Sequence, residues 1–104
     1  MLTPTQAALL AGTTPKILRQ WIAQARVIAL PYAGSSFRLP RWLFEPHVWA
    51  ALPALRHALG AAPCWALLAF LETPLGALGG RTPRQAIEQG EVVRAIELAG
   101  EAGP

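Results

Sequence analysis

The sequence predicts a mainly α-helical chain with one small β-hairpin in its first half. Three observations carry this. Ten prolines and nine glycines among 104 residues cut the chain into short elements. Threonine–proline pairs stand at the start of several of them, where a proline in the first helical turn forfeits no hydrogen bond. Hydrophobic residues make up 53% of the chain and charged residues 14%, enough to build a core and to exclude general disorder. The length allows one domain or two very small ones sharing a core.

Thr3-Pro4-Thr5-Gln6 reads as an N-cap, a first-turn proline and the glutamine of a capping box. This helix takes in Ala7 to Leu10 and stops at Gly12. Thr14-Pro15 opens a second helix that runs toward Ala25. Leu18, Trp21, Ile22 and Ala25 recur at i, i+3, i+4 and i+7 and should face a core. Lys16, Arg19, Gln20 and Ala23 fall on the other side. Val27–Pro31 and Phe37–Pro40 flank the Gly/Ser turn at Tyr32–Ser36 and predict a hairpin, with its prolines at strand edges or ends. Pro53 and Pro63 predict short helices over 53–60 and 63–72, because a longer helix from Val48 would meet Pro53 in its interior. A loop follows over 73–82. Thr82-Pro83-Arg84-Gln85 repeats the capping box and opens a helix to about Gln89. Gly90 breaks it, and Glu91 starts the last helix, with Val92, Ile96 and Ala99 on one face. The Gly103-Pro104 tail is expected to fray.

The formal net charge is +3, and its placement matters more than its size. Residues 1–44 carry Lys16, Arg19, Arg26, Arg38 and Arg41 and no acid. Residues 61–104 carry Arg81, Arg84 and Arg94 against Glu72, Glu88, Glu91, Glu97 and Glu101. A basic front and an acidic back predict two different partners. Cys64 is the one cysteine, which excludes a disulfide framework and a thiolate metal cluster and fits a reducing, cytoplasmic setting. No signal peptide is legible at Met1-Leu2-Thr3-Pro4. The longest apolar run, Ala61–Leu71, has 11 residues against the ~20 that span a bilayer, so no membrane partner is expected. There is no Asp, and His47, His57 and Cys64 assemble no metal set or nucleophile triad. Gly76–Gly80 lacks the Gly-Lys-Ser/Thr ending of a phosphate loop. The expectation is a binding protein with no catalytic residues, no metal and no cofactor. Trp21, Trp42, Trp49 and Trp65 read as core, although Trp42 and Trp49 equally suit a dimer interface.

A short helix, a tight turn and a second helix with an outward basic stripe make the helix-turn-helix arrangement, and the hairpin after it would be its wing. The second helix can then enter a major groove, where Lys16, Arg19 and Gln20 can reach bases or phosphates, with Arg38 and the Ser35 and Ser36 hydroxyls available to phosphates. The residues expected at DNA are Thr14, Lys16, Arg19, Gln20, Arg26, Ser35, Ser36 and Arg38. The alternative is a small α/β cap with an ordinary solvated basic face. The run Leu2 to Ile22 resembles the excisionase/MerR type of winged helix-turn-helix, and Val27–Pro40 is similar to that family's wing. The resemblance covers about the first 44 residues, with Gln6 where the family often has an acid.

A second resemblance lies in Trp65–Leu71, Thr73-Pro74, Leu78-Gly79-Gly80-Arg81-Thr82-Pro83, Ala86-Ile87, Gly90-Glu91 and Val92–Ala99. These look like the C-terminal toxin-binding domain of Xre/MbcA/ParS-type antitoxins, over roughly residues 50–100. Many members of that family carry a different N-terminal domain. The resemblance implies a partner toxin, commonly with a RES domain that consumes NAD, held inactive by this tail. Gly80, Arg81, Thr82, Pro83, Glu91, Arg94, Glu97 and Glu101 are the positions expected to meet it. Read from the residues alone, Gly79–Pro83 is a compact turn into a helix, with Arg81 bonded within the chain or offered to a partner carboxylate. The five C-terminal acids read as a solvated face or as a surface for a basic toxin cleft.

Together these readings predict a mainly α protein: a winged helix-turn-helix head over 1–44 and a compact helical toxin-binding domain over 45–104. The expected function is that of a type II antitoxin. It would neutralise its toxin by direct binding, bind operator DNA to repress its own operon, and act as a homo-oligomer. The alternative is a stand-alone winged-helix transcriptional regulator whose C-terminal domain only oligomerises.

Overall fold

The computed structural model describes residues 1–24, 26–32, 34 and 36–102. The predicted positions Ala25 and Ser35 and the Gly103-Pro104 tail lie outside the described residues. The chain is mainly helical with one two-stranded antiparallel hairpin, as the sequence predicts at that level.

α1 (Pro4–Ala11) begins at the expected capping box. Thr3 Oγ1 accepts from the Gln6 amide at 3.2 Å, and Gln6 Oε1 accepts from the Thr3 amide at 2.9 Å. Gly12 ends the helix with φ 72°, a conformation that suits a residue without Cβ. α2 (Pro15–Ala23) is capped by Thr14, whose hydroxyl accepts from the Ile17 amide at 3.3 Å. Buried Ala7 and Ala8 are small enough to bring α1 close to α2, and Leu18 of α2 is fully buried. β1 (Leu30–Tyr32) pairs with β2 (Ser36–Arg38), with Pro31 opposite Phe37. Leu2 and Leu39 exchange both backbone hydrogen bonds, at 2.7 and 2.9 Å, and so tie the segment before α1 to the hairpin.

One helix corrects the sequence reading. α3 spans Pro46–Ala58, so Pro53 is an interior residue and not a first-turn proline. The true start is Glu45-Pro46. The Glu45 carboxylate accepts from the amides of His47 and Val48, at 3.1 and 3.2 Å, in the capping role usually taken by Ser, Thr or Asp. Pro53 removes one donor to the Trp49 carbonyl. Burial of Val48, Ala51, Leu52 and Leu55 at i, i+3, i+4 and i+7 offsets that loss. A 3-10 turn, Arg41–Phe44, leads into α3 and buries Leu43.

α4 (Cys64–Glu72) starts one residue after Pro63, which is its N-cap and not a first-turn proline, whereas α5 (Pro83–Glu88) starts at the expected proline. A second 3-10 turn, Gly76–Leu78, lies in the loop between them. α6 (Val92–Ala102) buries Ala95, Leu98 and Ala99, so its inward face is turned slightly from the expected one; Val92 and Ile96 flank it half-buried. Trp65 is a second correction. It is 68% exposed, because Cys64, Leu67, Leu68 and Leu71 take the inward side of α4 and leave Trp65 opposite. Trp21, Trp42 and Trp49 pack half-buried against the core. The rings of Trp21 on α2 and Trp49 on α3 lie 5.4 Å apart, tilted by 52°.

α3 packs on α6, on α5 and on the first 3-10 turn. One cluster of buried side chains runs from Leu2, Ala7, Leu18 and Ile28 through Leu43, Val48 and Leu55 to Leu71, Ile87, Ala95 and Ala99. A smaller one gathers Leu78, Ala86 and Leu98. Arg84 links three elements at the surface. Its Nε donates to Glu72 at 2.6 Å and its Nη1 to Glu88 at 3.0 Å, while its guanidinium sits 5.4 Å from the Trp42 ring centroid.

Candidate functional site

The cationic face stands on α2 and the hairpin. Lys16, Arg19 and Gln20 are exposed on one side of α2, and Leu18, Trp21 and Ile22 turn inward. Among the described residues neither Lys16 nor Arg19 forms a hydrogen bond or ion pair, so both charges face solvent. A concave surface of about 600 Å³ separates α2 from the hairpin, lined by Thr3, Thr5, Arg19, Ser36, Phe37 and Arg38. No acid lines it. Thr3 and Thr5 are additions that the sequence reading missed. They arrive because the Leu2–Leu39 pairing draws the start of α1 alongside β2, a contact between residues far apart in the chain.

The remaining DNA candidates are partly committed to the fold. Thr14 uses one acceptor in its cap. Arg26 is exposed and lies 5.4 Å over the Trp21 ring. Arg38 is half-buried, donates to Ser36 Oγ and to the Phe37 carbonyl at 2.8 Å, and stacks 4.2 Å over exposed Tyr32. These contacts fix the direction of the Arg38 guanidinium before any ligand arrives, which lowers the entropy cost of binding an anion.

At the other end, the candidates divide. Gly80 has φ 87°, and its amide donates to the Leu75 carbonyl at 2.9 Å, which closes the loop on itself. Thr82 is the N-cap of α5 and Pro83 its buried first residue. Arg81 is held within the chain. Its Nε donates to the Leu78 carbonyl at 2.9 Å, and its Nη atoms donate to Gln89 and, in a two-pronged contact, to both carboxylate oxygens of Glu91. Of the two ways the residues could be read, this is the compact turn. Arg94 lies 3.6 Å from Glu97 on the exposed side of α6, and Glu101 is exposed beyond them.

The Arg81 hydrogen bonds hold the Glu91 carboxyl below the usual carboxylate range, and Glu91 raises Arg81 in turn. A carboxyl whose value is lowered by folding contributes stability above the unfolded-state value and loses it as the pH falls through the lowered one. Glu91→Gln should therefore lower Tm modestly at about pH 7, and the gap to the parent chain should be smaller at an acid pH below the usual carboxylate range. Thermal melts at both pH values check this; a gap that is constant with pH would mean the pair contributes only shape. Glu45 is lowered likewise, chiefly by its hydrogen bond to His47, whose Nδ1 lies 2.9 Å away.

Among the described residues no group of three or more His, Cys, Asp or Glu is placed to hold a metal ion. Nor is any helix among them long and apolar enough to cross a membrane. Compared with known proteins, the chain matches no family model, no curated protein and no solved structure.

Proposed function

We propose that this protein binds operator DNA through α1, α2 and the hairpin as a winged helix-turn-helix head, and that its C-terminal helices neutralise a toxin. One observation carries the DNA reading: the acid-free concave face between α2 and the hairpin, with Arg19 and Arg38 on its two walls and Lys16 and Gln20 beside it. Phosphates fit the cations and hydroxyls, and the exposed side of α2 is free to meet base edges. Exposed Leu9 and Leu10 on α1 and Trp65 on α4 support self-association, which a short head needs for useful affinity.

The toxin reading rests on the resemblance of residues 65–99 to the Xre/MbcA/ParS toxin-binding domain and on the exposed charges of α6. A RES-type, NAD-consuming toxin is the expected partner. The stand-alone regulator is the second reading. It is favoured by the closed Arg81–Glu91 contact, which ties up two of the expected toxin-facing residues inside the chain.

The test is to express the neighbouring reading frame alone and together with this protein, measuring growth, cellular NAD and co-purification. A neighbour that kills alone, depletes NAD and co-purifies harmlessly supports the antitoxin. A harmless neighbour that does not bind leaves the regulator.

A further inference from the structure

A pocket of about 490 Å³, within the size range of small-molecule sites, shares no lining residue with the cationic groove. One wall is the segment after α2, with Arg26, Val27 and Ile28; the others come from α3, from residues 61–62 and from α4. Its interior is mostly carbon. Leu52, Pro53, Ala62 and Leu67 line it with Val27 and Ile28. Arg26, Arg56 and His57 also line it, and among the described residues no acid does.

Two features argue against a mere packing gap. Ala61, Ala62 and Cys64 line it with small side chains and leave it open to solvent. Ala61 also has φ 57°, the one positive value at a non-glycine among the described residues. Strained backbone of this kind tends to gather at ligand clamps. The end of α3 is capped by the chain itself here. Its last carbonyls are taken by the amides of Leu59, Gly60 and Ala61, the last donating to the Arg56 carbonyl at 2.9 Å.

We infer that this pocket binds a small amphiphilic carboxylate, with its hydrocarbon part among Val27, Ile28, Leu52 and Leu67 and its carboxylate toward Arg26 and His57. The inference rests on this pocket and not on the DNA or toxin reading, with which its lining shares one candidate residue, Arg26.

Octanoate is the probe, with octylamine as its cationic counterpart, and the full chain is used. Cys64 supplies a local readout. It is the one thiol in the chain, is half-buried in the pocket wall, and its Sγ donates to the Val27 carbonyl at 3.6 Å. Octanoate is expected to shift the amide NMR signals of Val27, Ile28, Ala61 and Ala62 saturably and to slow alkylation of Cys64 by iodoacetamide. Octylamine should bind at least about tenfold more weakly, and Arg26→Gln should weaken octanoate about tenfold, since it removes a charge-assisted contact at the surface of the protein. Absence of saturable shifts, shifts that fall elsewhere, or equal binding of octylamine would each overturn the inference.

Discussion

Replacing Lys16 and Arg19 together by alanine is expected to weaken operator binding about 100-fold and to lower the slope of log affinity against log salt by about two. Each cation that neutralises a phosphate releases a condensed counterion, so the change in slope reports how many phosphates these two side chains neutralise. The substitution is clean for the fold. Both side chains are exposed and unbonded among the described residues, while Leu18, Trp21 and Ile22, which hold α2 in place, are untouched. Tm should therefore move little, as for surface changes generally. Fluorescence anisotropy on DNA from upstream of the reading frame, across a salt series, gives both numbers. An unchanged slope would move the binding surface off α2. Toxin neutralisation should survive the same double substitution, and equal loss of both activities would refute separate sites.

Leu55→Ala is expected to cost about 3 kcal/mol and to lower Tm by about 12–24 °C. Leu55 is fully buried on α3, the helix that packs on α5, α6 and the first 3-10 turn, so the cavity opens at the centre of the shared core. A chain of this size has only about 5–15 kcal/mol in total, so the loss is a large share. Urea unfolding followed at two wavelengths checks it. A loss below about 1 kcal/mol would mean that the site collapses around the smaller side chain or that α3 is not the centre of the core. The same packing bears on truncation. Removing 91–104 takes Ala95 and Ala99 out of this cluster, so point substitutions on the outer side of α6 are the better probe of its surface.

What could be read from the sequence was local. The capping boxes at Thr3 and Thr82, the stop at Gly12 and the two faces of α2 up to Ala23 each depend on residues close together in the chain, and each stands as expected. The start of α3 was hidden because Glu45 is a less usual cap than Thr, while Pro53 carries a strong breaker signal that burial of the neighbouring apolar stripe overrides. Trp65 was misread because a large ring suggests burial, whereas its place relative to Leu67 and Leu71 decides its side. The concave face at α2 was half legible. Its cations follow from helical spacing, but Thr3 and Thr5 join it only through the pairing of Leu2 with Leu39. The Arg81–Glu91 contact depends on how the loop and the α5–α6 junction fold back, which no local pattern encodes.

The tilted Trp21–Trp49 pair makes the molecule its own optical gauge. Two indoles this close share their excited states, and the resulting couplet in circular dichroism depends on the angle between them. One ring rides on α2 and the other on α3, so a slide or twist of α2 changes the couplet without any attached dye. Exposed Trp65 adds a red-shifted emission that reports separately on the outer side of α4. A titration with DNA or with a carboxylate can thus be followed by light alone, and a couplet that stays fixed through saturation would mean that the partner is received by a rigid body.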